Sequence, residues 1–176
     1  AGSSCDGVQL HPFCPRKYMD HVVLNRLEEG RSKGGVPRKH FEISGGGFIA
    51  TGPDEETVQK IFEYVRFRIA FYGSTRTYWH VFEVHDLLDL GEKLNVMVRK
   101  CEWDKIAAEI SDDVVHLFAA VGTHDKIASS IKGRFGGVSD MVSAIAAPDA
   151  EPGLTPDLIQ DLQRIETPFQ GFKTDY

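Results

Sequence analysis

The stretch FEISGGGFIATGPD, residues 41–54, predicts a strand and the turn into the helix that follows it. Apolar residues on both sides of the three glycines favour a buried strand over residues 41–51. Three glycines lose backbone entropy and side-chain packing in a strand, so we expect a kink or bulge at residues 45–47. The alternative is a phosphate cradle, but the spaced pattern GxGxxG and a following Gly-Lys-Ser/Thr are missing. We therefore favour the kinked strand.

The next segment predicts the most regular helix of the chain. Thr51 suits a helix cap, Pro53 suits the first turn, and Asp54 places a negative charge near the helix N-terminus. Gly73 is expected to end this helix. Its buried face is formed by apolar residues that recur at steps of three and four, namely Val58, Ile61, Phe62, Val65, Ile69 and Tyr72.

The remaining elements alternate between strand and helix. The patterns predict strands at residues 7–11 and 138–146, and helices at residues 16–33, 112–121, 124–135 and 158–165, with short helical pieces over 74–110. Strands that alternate with amphipathic helices indicate an α/β fold with a parallel sheet. We assign residues 1–146 to the folded body, and residues 147–176 to a Pro-containing linker and an acidic tail.

Composition excludes several functions. The chain has 176 residues and a net charge of −6, so we expect no nucleic-acid binding, and no apolar run is long enough to span a membrane. Three cysteines without metal-ligand spacing predict a reducing, cytoplasmic location and no metal site. The start, Ala1-Gly2-Ser3-Ser4, lacks an initiator Met and is expected to be a processed or truncated end.

Several short segments within residues 5–143 are similar to one family, and the specific ones are FYGST at residues 71–75 and the pair formed by VG at 121–122 and RFGG at 134–137. The segments besides FYGST are DGVQLHPF at 6–13, VHD at 84–86, the helix with Trp103, FAAVGT at 118–123 and RFGGVSD at 134–140. Together they resemble the luciferase-like flavin and deazaflavin oxidoreductases, in particular the deazaflavin-dependent subgroup similar to methylene-tetrahydromethanopterin reductase.

The resemblance implies a fold of the (βα)8 barrel type. A complete barrel needs about 250 residues, and this chain offers only three convincing strands. It therefore resembles the C-terminal part of such an enzyme, a partial TIM-type barrel with the last three strands and a helical insertion. The chain is then either a piece of a longer enzyme or a naturally reduced family member.

The resemblance also implies an activity and a cofactor. The complete enzyme would transfer a hydride between coenzyme F-420, a deazaflavin, and a small organic substrate, with FMN as the second choice and no metal. Family residues that hold the ring and carry the acid–base chemistry lie on early strands outside this chain, so its catalytic residues stay unknown. The alternative is a non-catalytic reduced homologue or fragment that acts as an assembly or ligand-binding module.

Barrel enzymes place their active site at the C-terminal ends of the strands, which selects candidate residues in this chain. With the family's insertion, the resemblance implies one cofactor-binding glycine, Gly47, and six substrate-binding residues, His11, Phe13, Arg16, Ser74, Thr75 and His85.

Most of these positions also have a structural alternative. His11 and the proline after it can shape the turn between strand and helix. Arg16 can bind an anion or remain solvated. Tyr72, beside the insertion, lies on a buried stripe, which favours a core position. His85 forms either an acid–base pair with Asp86 or a stabilising group at a helix C-terminus.

An incomplete barrel predicts association. Three strands leave open edges, and we expect them to be covered by the missing N-terminal half or by a second copy in a homo-oligomer. The apolar residues expected on the uncovered faces are Val8, Leu10, Ile43, Phe48, Val142 and Ile145.

Overall fold

The computed structural model describes residues 1–143 and 154–173. Its strands are β1 (Gly7–Leu10), β2 (Glu42–Gly45), β3 (Phe48–Gly52) and β4 (Ala119–Thr123). Its helices are α1 (Arg16–Tyr18), α2 (Leu24–Gly34), α3 (Glu55–Gly73), α4 (Trp79–Glu83), α5 (Leu88–Arg99), α6 (Asp112–Phe118), α7 (Ile127–Phe135) and α8 (Pro156–Gln163). A π-helical turn, Met19–Val23, joins α1 to α2, and 3-10 turns cover Arg38–His40, Arg76–Tyr78 and Ile106–Glu109.

All strand pairing in the described part of the chain is parallel, which confirms the α/β prediction. β1 pairs with β2 from Gly7 opposite Glu42 to Leu10 opposite Gly45. β3 pairs with β4 from Phe48 opposite Ala119 to Gly52 opposite Thr123. The two small sheets meet end to end, because β2 and β3 are consecutive pieces of the strand predicted over residues 41–51.

The break between β2 and β3 is the predicted glycine kink. Gly45, Gly46 and Gly47 have φ values of 82°, 97° and 135°, which side-chain-bearing residues rarely adopt. A Cβ on Gly46 would lie 2.7 Å from the sulfur of Met19, and one on Gly47 would lie 2.8 Å from the ring of Phe135. Conformation and close packing therefore both require glycine here.

α3 forms as predicted but begins later than expected. Its cap is Asp54, whose carboxylate accepts a hydrogen bond from the Thr57 backbone N–H at 2.7 Å. Thr51, the expected cap, belongs to β3 instead. The buried face of α3 contains five of the six predicted residues, and the sixth, Tyr72, is half-buried and packs against the same core.

The segment after residue 111 corrects the strand prediction. The helix predicted over residues 112–121 ends at Phe118, and the chain continues as β4, because Ala119–Thr123 gain a ladder of hydrogen bonds by pairing with β3. Thr123, expected to cap the next helix, ends β4. The strand predicted at 138–146 is represented by a single parallel bridge between Ser44 and Met141, and residues 144–146 lie outside the described residues.

The core consists of two apolar clusters. One lies between α3, α4, α5 and α6, and the other joins α7 to the kink and to Leu158 of α8. Ile43 and Phe48 are 1% and 0% exposed, so the expectation that they form an uncovered face was wrong: this chain itself buries them. Val8, Leu10 and Val142 are half-buried, and Ile145 lies outside the described residues.

The described residues also show no features of a membrane span or of a metal site. None of their helices is long and apolar enough to cross a lipid bilayer. They also contain no group of three or more His, Cys, Asp or Glu side chains arranged to hold a metal ion.

Candidate functional site

An open cleft of about 390 Å³ lies where β1 ends. The segment after β1 turns sharply, with the Cys14 N–H bonded to the Pro12 carbonyl at 2.8 Å, and Pro15 precedes the first turn of α1. The facing wall comes from the 3-10 turn Arg76–Tyr78 and from α4. The lining residues are Leu10, His11, Phe13, Cys14, Tyr18, Val23, Thr77, Tyr78, His80 and Val81.

His11 stands at the mouth of this cleft in a fixed orientation. Its Nδ1 accepts a hydrogen bond from the Phe13 backbone N–H at 3.0 Å. The ring packs edge-on against Tyr72, with centroids 4.5 Å apart, and lies 5.1 Å from the ring of Tyr78. Partial burial, together with the nearby Arg68 guanidinium, lowers the pKa of His11 below its usual 6.5.

Phe13 forms the floor between the cleft and the core. It is 2% exposed and stacks on Phe118 with centroids 4.5 Å apart. The rings of Tyr78 and Phe82 also pack against it, at 5.5 and 5.2 Å. Phe13 therefore fixes the position of the segment that carries His11 and gives the cleft one apolar wall.

Arg68 of α3 stands behind His11. It donates hydrogen bonds to the hydroxyls of Tyr64, at 3.1 Å, and Tyr72. Its guanidinium also lies over the Tyr72 ring, 5.0 Å from the centroid. Tyr72 is thus held from both ends, by Arg68 at its hydroxyl and by His11 at its ring. The guanidinium of Arg68 therefore lies close to His11 and places a positive charge there.

Arg16 does not face the cleft with a free charge. Its Nε pairs with both carboxylate oxygens of Asp20 at 3.0 and 2.8 Å. Its Nη1 donates to the carbonyls of Arg134 and Gly136 at 3.0 and 3.2 Å. Those contacts join α1 to the end of α7, so the Arg16 guanidinium already has structural partners, and its binding of an anionic substrate stays a prediction.

Ser74 and Thr75 end α3. The Ser74 hydroxyl donates to the Phe71 carbonyl at 2.7 Å, and its own carbonyl accepts from the Asn95 amide at 2.8 Å. The Thr75 carbonyl accepts from the Tyr78 N–H at 2.9 Å. Ser74 therefore connects the end of α3 to α5, and Thr75 contacts the segment that carries Tyr78. Neither residue is among those that line the cleft.

His85 and Asp86 lie at the C-terminal end of α4. Asp86 has a φ of 57°, and the Leu87 N–H bonds to the Phe82 carbonyl at 3.0 Å, as in a Schellman cap. No hydrogen bond links the two side chains in the described part of the chain. Burial first, and then Lys17, lowers the pKa of His85, which Asp86 partly offsets. Its ring centroid is 6.3 Å from that of Phe118, so it borders the core behind Phe13.

Gly47 lies in the break between β2 and β3, against Phe135 and the Phe118 carbonyl. That packing requires a residue without a side chain at this position, and the cofactor-binding role of Gly47 stays a prediction. Of the seven predicted site residues, the structure brings His11 and Phe13 together at one cleft and distributes the other five over helix ends and the kink.

Sequence reasoning missed the facing wall of the cleft. Tyr78 and His80 lie three and five residues after the end of the FYGST segment, and the ring of His80 lies 5.4 Å from that of Tyr18. The sequence TYWH at residues 77–80, which is rich in aromatic side chains, could have indicated this wall. A second cavity of about 550 Å³ adjoins the cleft through Tyr18 and His80 and adds Arg26 and Glu83.

The sequence pattern of one family, the luciferase-like monooxygenases, matches residues 1–139. The chain belongs to this family. Similar relatives are uncharacterised proteins of Mycobacterium bovis and Mycobacterium tuberculosis, each 35% identical over 144 residues, which is 82% of this chain and 42% of theirs.

Among solved structures, the coenzyme F-420-dependent tetrahydromethanopterin reductase from Methanopyrus kandleri is similar to this luciferase-like chain. The TM-score is 0.65 at 18% identity, over 94% of this chain and 45% of the reductase. The likeness supports the fold. This chain therefore spans less than half the length of the proteins it matches.

Proposed function

We propose that this chain is the C-terminal part of a luciferase-like oxidoreductase that transfers a hydride between coenzyme F-420 and a small organic substrate. Family membership supports the oxidoreductase class, and the likeness to a reductase described as coenzyme F-420-dependent supports the deazaflavin. FMN is the second candidate. The parallel pairs β1–β2 and β3–β4 form part of a partial barrel wall in this proposal.

The cleft at the end of β1 carries the proposal. Barrel enzymes place their sites at this end of the strands, and ligand pockets are mostly apolar with a few polar groups. The cleft has both properties: it follows β1 directly, it is walled by aromatic and aliphatic side chains, and His11 and Thr77 add polar groups. We assign this cleft to the substrate.

A deazaflavin or flavin, when bound, supplies the hydride, while the protein positions the reactants. The volume of the cleft suits a small substrate or one edge of a ring system. The role of this chain is to present His11, Phe13 and Tyr78 along one side of the reacting groups. In this proposal the groups that hold the cofactor ring belong to the remainder of the enzyme, and the location is cytoplasmic.

Two measurements test the proposal. Mass spectrometry of the native protein, compared with its gene, shows whether a longer product carries this chain. That product is then mixed with reduced coenzyme F-420 or reduced FMN and candidate carbonyl or imine substrates, and cofactor oxidation is followed by absorbance.

Substrate-dependent oxidation of reduced F-420 is the expected result. Oxidation of FMN alone would change the cofactor assignment. A native protein of 176 residues that oxidises neither would refute the oxidoreductase and support the alternative, a non-catalytic ligand-binding or assembly module.

A further inference from the structure

We propose that His11 is held as a neutral imidazole with its proton on Nε2, and that this N–H donates to a carbonyl oxygen of an uncharged ligand in the cleft. The identity of the cleft as a substrate site rests on the proposed function.

The tautomer follows from one hydrogen bond. A backbone N–H can only donate, so Nδ1 of His11, which accepts from the Phe13 N–H at 3.0 Å, must present a lone pair. The single proton of the neutral ring is therefore on Nε2. Adding a proton to Nδ1 would break the bond to Phe13, so the neutral form is the one that fits the folded chain.

The groups around the His11 ring also favour its neutral form. Tyr72 and Tyr78 pack against it at 4.5 and 5.1 Å and limit its rotation. Arg68, bonded to the Tyr72 hydroxyl, places a positive charge on the α3 side, which opposes an imidazolium. The other titratable groups around the cleft are Cys14, Tyr18, Tyr78 and His80, and none of them is an acid that would favour a charged His11.

The lining of the cleft defines the ligand. Among the described residues, the cleft is lined by no carboxylate that would pair with a cation and by no Lys or Arg that would pair with an anion. Its walls are aromatic or aliphatic, and Nε2 of His11 has no hydrogen-bond partner in this part of the chain. An uncharged, conjugated carbonyl compound matches this combination of apolar walls and one N–H donor.

Such a carbonyl has two sources. It belongs either to the organic substrate or to the ring of the deazaflavin or flavin, whose pyrimidine portion carries two carbonyl groups. Cyclohex-2-enone is a probe for the first source, and lumiflavin, a flavin ring without a phosphate tail, is a probe for the second. Each can be added to the full chain in solution.

Nitrogen NMR of the ¹⁵N-histidine-labelled full chain tests the tautomer. We expect Nδ1 of His11 to have the shift of an unprotonated ring nitrogen and Nε2 that of an N–H, with a titration midpoint below 6.5. A proton on Nδ1, rapid exchange between the tautomers, or a midpoint at or above 6.5 would overturn the inference. This measurement does not depend on any enzymatic activity.

A pair of substitutions tests the donor. His11→Asn keeps a side-chain oxygen that can accept from the Phe13 N–H, as in an Asx turn, but it withdraws the donor from the cleft. His11→Gln reaches the position of Nε2 with an amide N–H but loses the contact with Phe13. We expect His11→Asn to weaken probe binding about tenfold and His11→Gln to weaken it less, about threefold.

Saturable movement of the His11 Nε2–H signal on adding a probe is expected, and the probe that produces it identifies the source of the carbonyl. If neither probe moves the signal, or if His11→Asn binds as well as the parent chain at an unchanged melting temperature, the donor role is refuted. If the donor role holds while the complete protein oxidises neither cofactor, the proposed function fails and the carbonyl site stands.

Discussion

Asp140 offers the sharpest test of how this chain holds its last described segment. Its side chain is 3% exposed and pairs with Arg38, with Nη1 at 2.9 Å and Nη2 at 3.0 Å. The same carboxylate accepts backbone N–H bonds from Ile43, at 2.7 Å, and from Phe169, at 3.1 Å. One buried group therefore joins β2, the turn before it and the C-terminal tail.

The substitution Asp140→Ala leaves four N–H donor groups, two of them from Arg38, without their acceptor. Removing one partner of a buried ion pair costs about 3–5 kcal/mol, because the other partner stays buried without compensation. Arg38 is 22% exposed and keeps its bonds to the carbonyls of Phe41 and Val138, so the loss lies near the lower limit. We expect about 3 kcal/mol, a large part of the 5–15 kcal/mol typical of a domain.

Urea denaturation followed by circular dichroism measures the change. The matched control is Asp161→Ala, which removes a carboxylate that is 54% exposed and paired with Arg164 on the surface of α8. Exposed pairs contribute little, so we expect the control to change stability by less than about 1 kcal/mol. A loss below about 1 kcal/mol at Asp140, or a loss equal to that of the control, would refute the reasoning.

Three further predictions follow from the kink, from His85 and from the open edges. Gly47→Ala should destabilise the chain by about 1–3 kcal/mol, because it strains a φ of 135° and meets the Phe135 ring. The control Gly133→Ala, in α7 with open space around it, should leave stability unchanged or raise it. Equal effects of the two substitutions would exclude the packing argument. In the complete enzyme, His85→Ala should lower turnover about 10²-fold at an unchanged melting temperature if His85 acts in the substrate pocket. A fall in stability with unchanged turnover would instead show that His85 stabilises the C-terminal end of α4. Sedimentation of the chain should show a dimer or a larger assembly, and a compact 19.6 kDa monomer that binds no ANS would contradict the partial barrel.

The pH dependence of stability also follows from His85. Its pKa is lower in the folded chain than the ordinary value of 6.5, so the unfolded chain binds more protons as the pH falls below that value. Stability should therefore decrease from pH 7 toward pH 5. His85→Gln should reduce this dependence in urea titrations at the two pH values. An unchanged slope would show that His85 is not desolvated in the folded chain.

The sequence predicted those elements that are determined by residues close together in the chain. The apolar face of α3 and the glycine kink are of this kind, since periodicity and backbone conformation act over a few residues. β4 was missed because Val114, Val115 and Phe118 continue a helical spacing into Ala119–Thr123. Only pairing with β3, about 70 residues earlier, makes that segment a strand.

The same distinction holds for the candidate site. Proximity to the end of β1 was enough to predict that His11 and Phe13 lie together at one cleft, because a strand end and its next residues occupy one place in the fold. Their binding of a substrate stays a prediction. The contacts of Arg16 were not predictable, since the carbonyls it binds come from residues 118 and 120 positions away. The facing wall with Tyr78 likewise depends on how the segment after α3 folds back.

β1 determines where the rest of a barrel would join this chain. One edge of β1 pairs with β2, and its other edge carries no strand among residues 1–143 and 154–173. An unpaired edge is a template for another strand, and in a barrel the preceding strand occupies it. His11 follows β1 directly, so a strand added there would bring its own C-terminal end beside the cleft. In the proposed barrel, a partner that completes the sheet would therefore also add a wall to the cleft.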